Sequence, residues 1–281
     1  MSDVRLTRYA SSDAFLEAAQ PWLMRDEAEN SLILGIAIGI RDAAFEPREP
    51  PYFVTASTGE GVVACAVRSP PYPLAISRCA APAALELIAL DALARYPHLD
   101  RVCGPEPTVT RFAELWKSNG RTSRRHRSMR IYEIRGGPDD VARAPGRRRP
   151  VAEADLPVIT TWLSAFASEL GLVEPRDPAD AARSRLAARD LYAWDDGEAV
   201  SIAGFGGKTP NGVRINLVYT PQAKRRRGYA TACVTALTQM LIDRGNRYCC
   251  LYTDLADPVA NGMYRRIGYR RVCDAAEYDL A

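Results

Sequence analysis

The residues from Val213 to Thr231 read Val-Arg-Ile-Asn-Leu-Val-Tyr-Thr-Pro-Gln-Ala-Lys-Arg-Arg-Arg-Gly-Tyr-Ala-Thr. Val213, Ile215 and Leu217 alternate with Arg214 and Asn216, which predicts a strand. That strand runs into a basic loop, a glycine and a helix start. Exposed N–H groups at a helix N-terminus, with the positive end of the dipole, attract anions. Gly228 lets the backbone come close, while Arg225, Arg226 and Arg227 add forked cationic donors. The stretch therefore reads as a phosphate or pyrophosphate cradle. The alternative is a solvated basic turn before an ordinary helix.

Other chemistries find little support. His98 and His126 are the only histidines, and the seven cysteines form no CxxC pair, so no metal site is expected. Cys233, Cys249 and Cys250 lie in apolar helix or strand patterns, which argues against nucleophilic thiols. Gly204-Phe-Gly206-Gly207-Lys208-Thr209 imitates a phosphate loop, yet Ile202 stands where its first glycine belongs. Pro210-Asn211-Gly212 then makes a turn where a helix must follow. There is no Gly-x-Ser-x-Gly elbow.

These residues need positioning elements, and the periodicities supply them. In the second half, Leu156, Ile159, Leu163, Phe166 and Leu170 recur at helical spacing, and a polar helix covers 179–189. Strands follow over 191–194 and 199–205, then the hairpin turn Thr209-Pro210-Asn211-Gly212 and the strand from Val213. A helix over 229–244 precedes a buried strand over 248–253. A short helix, with Asp257 as N-cap and Pro258 at its first position, ends near Gly268. A strand pair is expected to close the chain. The first half repeats this rhythm. Helices fall near 12–24 and 27–41, strands at 52–56, 62–67 and 74–77, a helix at 82–95 and a strand at 100–103. A helix at 107–118 and a strand at 128–134 complete it. This order suggests a diverged internal duplication.

Between the halves, residues 121–150 hold ten Arg and three acidic residues, with glycine and proline punctuation. The segment reads as a solvated basic linker, with contact to an acidic ligand or nucleic acid as the sharper alternative. The domain boundary is placed near 136–150.

The pattern Arg225-x-x-Gly228-x-Ala230 after an apolar strand resembles the Arg/Gln-x-x-Gly-x-Gly/Ala motif of the GCN5-related N-acetyltransferases (GNATs). The stretch from Thr253 through Asn261 and Tyr264 to Gly268-Tyr269 looks like that family's second signature, and the spacing between the two also matches. The resemblance covers about 148–281. For the first half it rests on element order. It implies an α/β (α+β) chain of two tandem GNAT-like domains, each a mixed, mostly antiparallel sheet flanked by helices. Residues 1–140 would form a degenerate domain and 148–281 the catalytic one.

The resemblance also implies roles. The strand Leu217, Val218, Tyr219, Thr220 is expected to part from its neighbour and pair its main chain with the pantetheine arm of acetyl-CoA. Arg225, Arg226, Arg227, Gly228, Tyr229, Ala230 and Thr231 would hold the pyrophosphate, and Asn261 would touch the cofactor arm. Tyr264 would be the general acid, since a phenol with a pKa of about 10 is protonated at neutral pH. Two departures stand out. Many members carry glycine where this chain has Arg226. Many also carry a glutamate on the central strand, where this chain offers Asn216. The base is then Glu169, Glu174 or Asp254 through a water, or none if the acceptor arrives as a free amine. In the first half, Arg78-Cys-Ala-Ala-Pro82 has no glycine before the helix, so no coenzyme A site is expected there.

Composition bounds the rest. The 281 residues suit two domains, and 47% hydrophobic with 25% charged residues is an ordinary globular balance. A net charge of +3 does not argue for nucleic acid. Of 37 basic residues, 34 are Arg, read first as compositional bias. The longest apolar run, Leu32 to Ile40, is too short for a bilayer. No membrane partner, no nucleic acid and a cytoplasmic location are expected. The resulting expectation is acetyl transfer from acetyl-CoA to a small-molecule or peptide amine by direct attack. The alternative is a non-catalytic acetyl-CoA-binding regulatory module. Oligomeric state is left open.

Overall fold

The structure, a computed structural model, describes residues 4–139, 144–171 and 176–281. The first half runs β1 (Arg5–Tyr9), α1 (Ser12–Leu23), α2 (Ser31–Arg41), β2 (Tyr52–Thr58), β3 (Gly61–Arg68), β4 (Leu74–Ile76), α3 (Pro82–Arg95), β5 (Arg101–Pro105), α4 (Glu106–Ser118) and β6 (Ser123–Arg135). The second runs β7 (Arg147–Pro150), α5 (Leu156–Glu169), α6 (Pro178–Ala188), β8 (Leu191–Asp195), β9 (Ala199–Gly206) and β10 (Gly212–Tyr219). It continues through α7 (Tyr229–Asp243), β11 (Tyr248–Asp254), α8 (Pro258–Ile267) and β12 (Arg270–Leu280). The order of elements is the same in both halves. The sequence reading missed the short opening strands β1 and β7, and one long strand replaces the expected closing pair.

All twelve strands form a single sheet in the order β1-β2-β3-β4-β5-β12-β6-β11-β10-β9-β8-β7. Exchanging each strand for its counterpart in the other half reverses this order onto itself. The two halves are thus related by a pseudo-twofold axis between β6 and β12. Each half gives away its last strand: β12 lies between β5 and β6, and β6 lies between β12 and β11. Pairing is antiparallel except for β4 with β5 and β10 with β11.

The expected basic linker is therefore largely corrected. Residues 123–135 are a central strand, and 147–150 an edge strand against β8. Several of their arginines are matched by carboxylates rather than merely solvated. Arg130 bonds Asp274 at 2.6 Å, Arg124 bonds Asp279 at 3.0 Å, and Arg149 bonds Asp155 at 2.6 Å and also Asp195. Composition alone misses this because the partners lie more than a hundred residues away for β6.

Apolar burial sets which helix covers which face. Ile88, Val109, Phe112 and Trp116 of α3 and α4 pack on Val54, Ala66 and Val102, and Ala276 and Tyr278 of β12 join them. On the same face, α7 and α8 bury Cys233, Leu237, Tyr264 and Ile267 against Val213, Ile215 and Leu251. The opposite face carries α1 and α2 over Phe53, Cys65 and Val67, and α5 and α6 over Ala193, Ile202 and Tyr219. Among the described residues no helix is long and apolar enough to cross a membrane.

The exchanged pair carries a measurable clasp. The guanidinium of Arg130, aided by Arg271, lowers the Asp274 carboxyl to about 2. A carboxyl depressed in the folded state stabilises above its unfolded pKa, and that contribution fades as pH falls through the folded value. Asp274→Asn is expected to cost about 2 kcal/mol at neutral pH. Urea denaturation across pH should show its deficit against the unsubstituted protein shrinking between about pH 4 and 2.

Candidate functional site

The parallel ladder between β10 and β11 is short. It runs from Gly212 opposite Tyr248 to Ile215 opposite Leu251 and then stops. On its other side β10 is irregular against β9 between Asn216 and Tyr219, and Leu217 takes a φ of 49°. Leu217 and Val218 thus lie outside both ladders. The bulge swings the end of β10 away from β11, and bulges of this kind sit beside many active sites. Main-chain groups left unpaired there are open to an extended ligand.

After β10 the chain passes Pro221 and a short 3-10 turn into the basic loop. Arg226 has a φ of 62° and Gly228 a φ of 81°, and α7 begins at Tyr229. A Cβ on Gly228 would meet only Ala144 at 3.6 Å, so the backbone conformation, not crowding, asks for glycine. Arg226 adopts the left-handed region without that freedom, at a cost of about 1 kcal/mol. That is the position where many GNATs carry glycine. Gly228 precedes α7 with no side-chain cap, so among the described residues no side chain takes up the first N–H groups of the helix.

Arg225 anchors the loop. Its Nε donates to the Thr220 carbonyl at 2.8 Å, and its Nη2 donates to both oxygens of Glu169 at 2.9 and 2.6 Å. The Tyr219 hydroxyl also donates to Glu169, at 3.2 Å. Glu169 is therefore a clamp from α5 onto the loop, its oxygens occupied. Glu174 lies outside the described residues. Asp254, half-buried at the end of β11, lines the cleft where the strands part, and its Oδ1 accepts from the Ala256 N–H at 2.8 Å.

The second signature forms α8. Asp257 caps it by accepting from the N–H groups of Val259 and Ala260 at 3.0 and 2.9 Å. Buried Asn261 uses both its donors and its oxygen internally. It donates to the carbonyls of Asp254 and Asp257 at 2.8 and 2.7 Å and accepts from the Tyr132 hydroxyl at 3.2 Å. It is a cross-brace that sets α8 against β11 and β6, rather than a free donor for a cofactor arm. Tyr264 packs its ring against Tyr132 and Tyr269. Its hydroxyl has no hydrogen-bond partner among the described residues, and burial raises its pKa. All seven cysteines are free, and burial pushes the Cys233 and Cys249 thiols up to about 12 and Cys250 to about 11. Nucleophilic thiolates are thereby disfavoured.

The equivalent place in the first half is closed. A Cβ on Gly104 of β5 would lie 2.3 Å from the Ile76 carbonyl oxygen, so β4 and β5 meet backbone to backbone. Arg78 is bound to Glu29, the Cys79 N–H donates to Thr108 Oγ1 at 3.0 Å, and Ala81 before α3 has a φ of −99°. No left-handed turn opens this helix.

Residues 206–278 match the model of a family described as FR47-like protein. No curated protein matches the chain. Among solved structures, the chain is similar to a GCN5-related N-acetyltransferase from Sphaerobacter thermophilus, at 18% identity over 98% of this chain and 95% of that one, with a TM-score of 0.60. A GNAT-family acetyltransferase from Colwellia psychrerythraea shows 12% identity over 98% of each chain, with a TM-score of 0.57. A tandem GNAT protein from the clavulanic acid biosynthesis pathway shows 13% identity over 99% of this chain and 98% of that one, with a TM-score of 0.56.

The chain is a tandem GNAT-fold protein. Its second GNAT half carries the parted strands and the left-handed loop, and its first GNAT half carries neither. Sequence reasoning overlooked two structural partners of the site, Tyr132 behind Asn261 and Arg185, which donates to Asn216 at 3.3 Å. Nothing local marks either one.

Asn261→Ala removes three buried or part-buried hydrogen bonds at once. It is expected to destabilise the fold by about 2–3 kcal/mol in chemical denaturation. A loss of coenzyme binding with unchanged stability would refute the brace.

Proposed function

We propose that the second half, about 148–281, binds acetyl-CoA and transfers its acetyl group to an amine, with both substrates bound together. One observation carries this reading: β10 parts from β11 directly before a loop whose two left-handed residues open α7. The residues present fit the nucleotide end of such a substrate. The N–H groups of Tyr229, Ala230 and Thr231, uncapped by any described side chain, suit a pyrophosphate, as do the forks of Arg226 and Arg227. Arg225 and Glu169 hold the loop in shape. Leu217 and Val218, outside both ladders, offer main-chain partners to the amide groups of a pantetheine arm.

Acetyl-CoA supplies an activated thioester. The protein adds positioning and a proton path. Holding two reactants in line removes much of the entropic barrier. Tyr264 Oη holds the proton that the leaving sulfur takes up, and its raised pKa keeps it protonated beyond pH 10. Asp254, on the cleft face beside the parted strands, is the carboxylate best placed to receive the amine proton through a water. The first half, about 1–140, binds no coenzyme and helps wall the acceptor cleft. The acceptor is a small-molecule or peptide amine. Free thiols throughout suit a reducing, cytoplasmic setting.

Calorimetric titration with acetyl-CoA, followed by a thiol-release screen over amines, tests the proposal. Gly228→Asp puts a side chain and a negative charge into the cradle, and a tenfold or greater loss of acetyl-CoA affinity is expected. Unchanged affinity would remove the cradle. Tyr264→Phe is expected to lower kcat about 100-fold with acetyl-CoA affinity retained. In the unsubstituted enzyme no alkaline loss assignable to this tyrosine should set in below pH 10. Binding with no release from any amine would favour the non-catalytic regulatory module.

A further inference from the structure

The cleft beside the parted strands has a volume of about 2030 Å³ and lies between the halves. One wall is α2 with the hairpin after β9, drawn together at Gly35 and Gly207, where a Cβ on Gly35 would sit 2.9 Å from Gly207 Cα. Glu27 of the first half secures that hairpin, accepting from the Asn211 N–H at 2.8 Å and from its Nδ2 at 2.9 Å. The other wall is α5 and α6. Strand alternation places Arg214, Asn216, Tyr252 and Asp254 on the floor, opposite in direction to core-facing Val213, Ile215 and Leu251.

Several charges in this cleft are matched. Arg185 bonds Asp190 at 2.7 Å, Glu277 is held by Arg101 at 3.1 Å, and Glu29 is held by Arg78. Arg214 differs. Among the described residues no carboxylate lies within 4.0 Å of it, and its Nη1 is buried without a hydrogen-bond partner. Its guanidinium lies 5.8 Å from the Tyr252 ring centroid, and a Cβ on Gly207 would come within 3.0 Å of Nη2. The side chain is thus packed in place, and among the described residues no protein group completes Nη1. Ser31 Oγ and Asn30 Oδ1, where α2 begins, are also buried and unpartnered.

A buried guanidinium nitrogen left without a hydrogen bond is costly, and a carboxylate is the group that the half-buried Arg214 fork fits in a two-pronged contact. We infer that Arg214 receives the carboxylate of the acceptor, so that the acceptor is an amino carboxylate. This rests on the acyl-transfer reading of the same cleft. The Arg214 fork carries one positive charge, which matches a monoanion, whereas a phosphate dianion would need a second cation in contact. Three residues of strand, about 10 Å, separate Arg214 from the bulge at Leu217. The amine and the carboxylate therefore stand at opposite ends of an extended molecule.

The test titrates the full chain, saturated with acetyl-CoA, with aminohexanoate, aminooctanoate and their carboxamides. Aminooctanoate is expected to bind at least about tenfold tighter than its carboxamide. Arg214→Gln should bring acid and amide level, while Arg214→Lys, which keeps the charge but not the fork, should retain part of the difference. Acetyl-CoA affinity of both variants should equal that of the unsubstituted protein, which also shows that they fold. Acids and amides that bind alike or not at all would overturn the inference, as would a preference that survives Arg214→Gln. If acetyl-CoA itself fails to bind the unsubstituted protein, the acyl-transfer reading falls. A carboxylate preference measured then without acetyl-CoA, and lost in Arg214→Gln, would leave the anion site standing alone.

Discussion

The ladder between β6 and β12 is the contact on which the rest depends. It pairs the last strand of each half over ten registered positions, from Arg270 opposite Glu133 to Leu280 opposite Ser123. Because each strand also pairs into the other half's sheet, the halves cannot separate without breaking three ladders. One continuous sheet then has two faces shared by both halves. The cleft exists because α2 and α5 come to the same face on either side of that axis. Arg124 and Arg130 of β6 pair across this seam with Asp279 and Asp274, so an unusual composition does structural work there.

The same backbone plan serves opposite ends in the two halves. In the second half the parallel ladder stops at Ile215, a bulge turns the strand, and a left-handed loop aims α7 at the gap. In the first half Gly104 lets β5 close onto Ile76, and Arg78, the one cation left in the loop, is held by Glu29. A main-chain recognition site is lost by small changes, since it depends on backbone pairing rather than on a particular side chain. Arg226 illustrates the converse: the loop keeps its left-handed shape with a residue that disfavours it, because Arg225, Thr220 and Glu169 hold the flanking chain.

Much was readable in order of residues alone. Apolar periodicity located the helices and most strands, because burial of one face is a local pattern. The duplication was visible as a repeated order of elements without visible identity. Gly228 before a helix starting at Tyr229 was legible, and Asp257 with Pro258 announced the start of α8. The edge strands β1 and β7 escaped because each carries few apolar residues, and β7 reads as an arginine run.

Tertiary structure alone decided which polar residues are occupied and which are not. Glu169 and Asn261 have types suited to catalysis or ligand contact, yet one clamps Arg225 and the other braces α8 through Tyr132. Arg214 looks like any outward residue of an alternating strand, yet it sits in the cleft with no carboxylate against it among the described residues. Sequence determines hydrogen-bonding capacity and local backbone preference, since both are properties of a residue and its near neighbours. Whether that capacity is used depends on partners brought together from distant parts of the chain, and here those partners meet only through the exchanged strands.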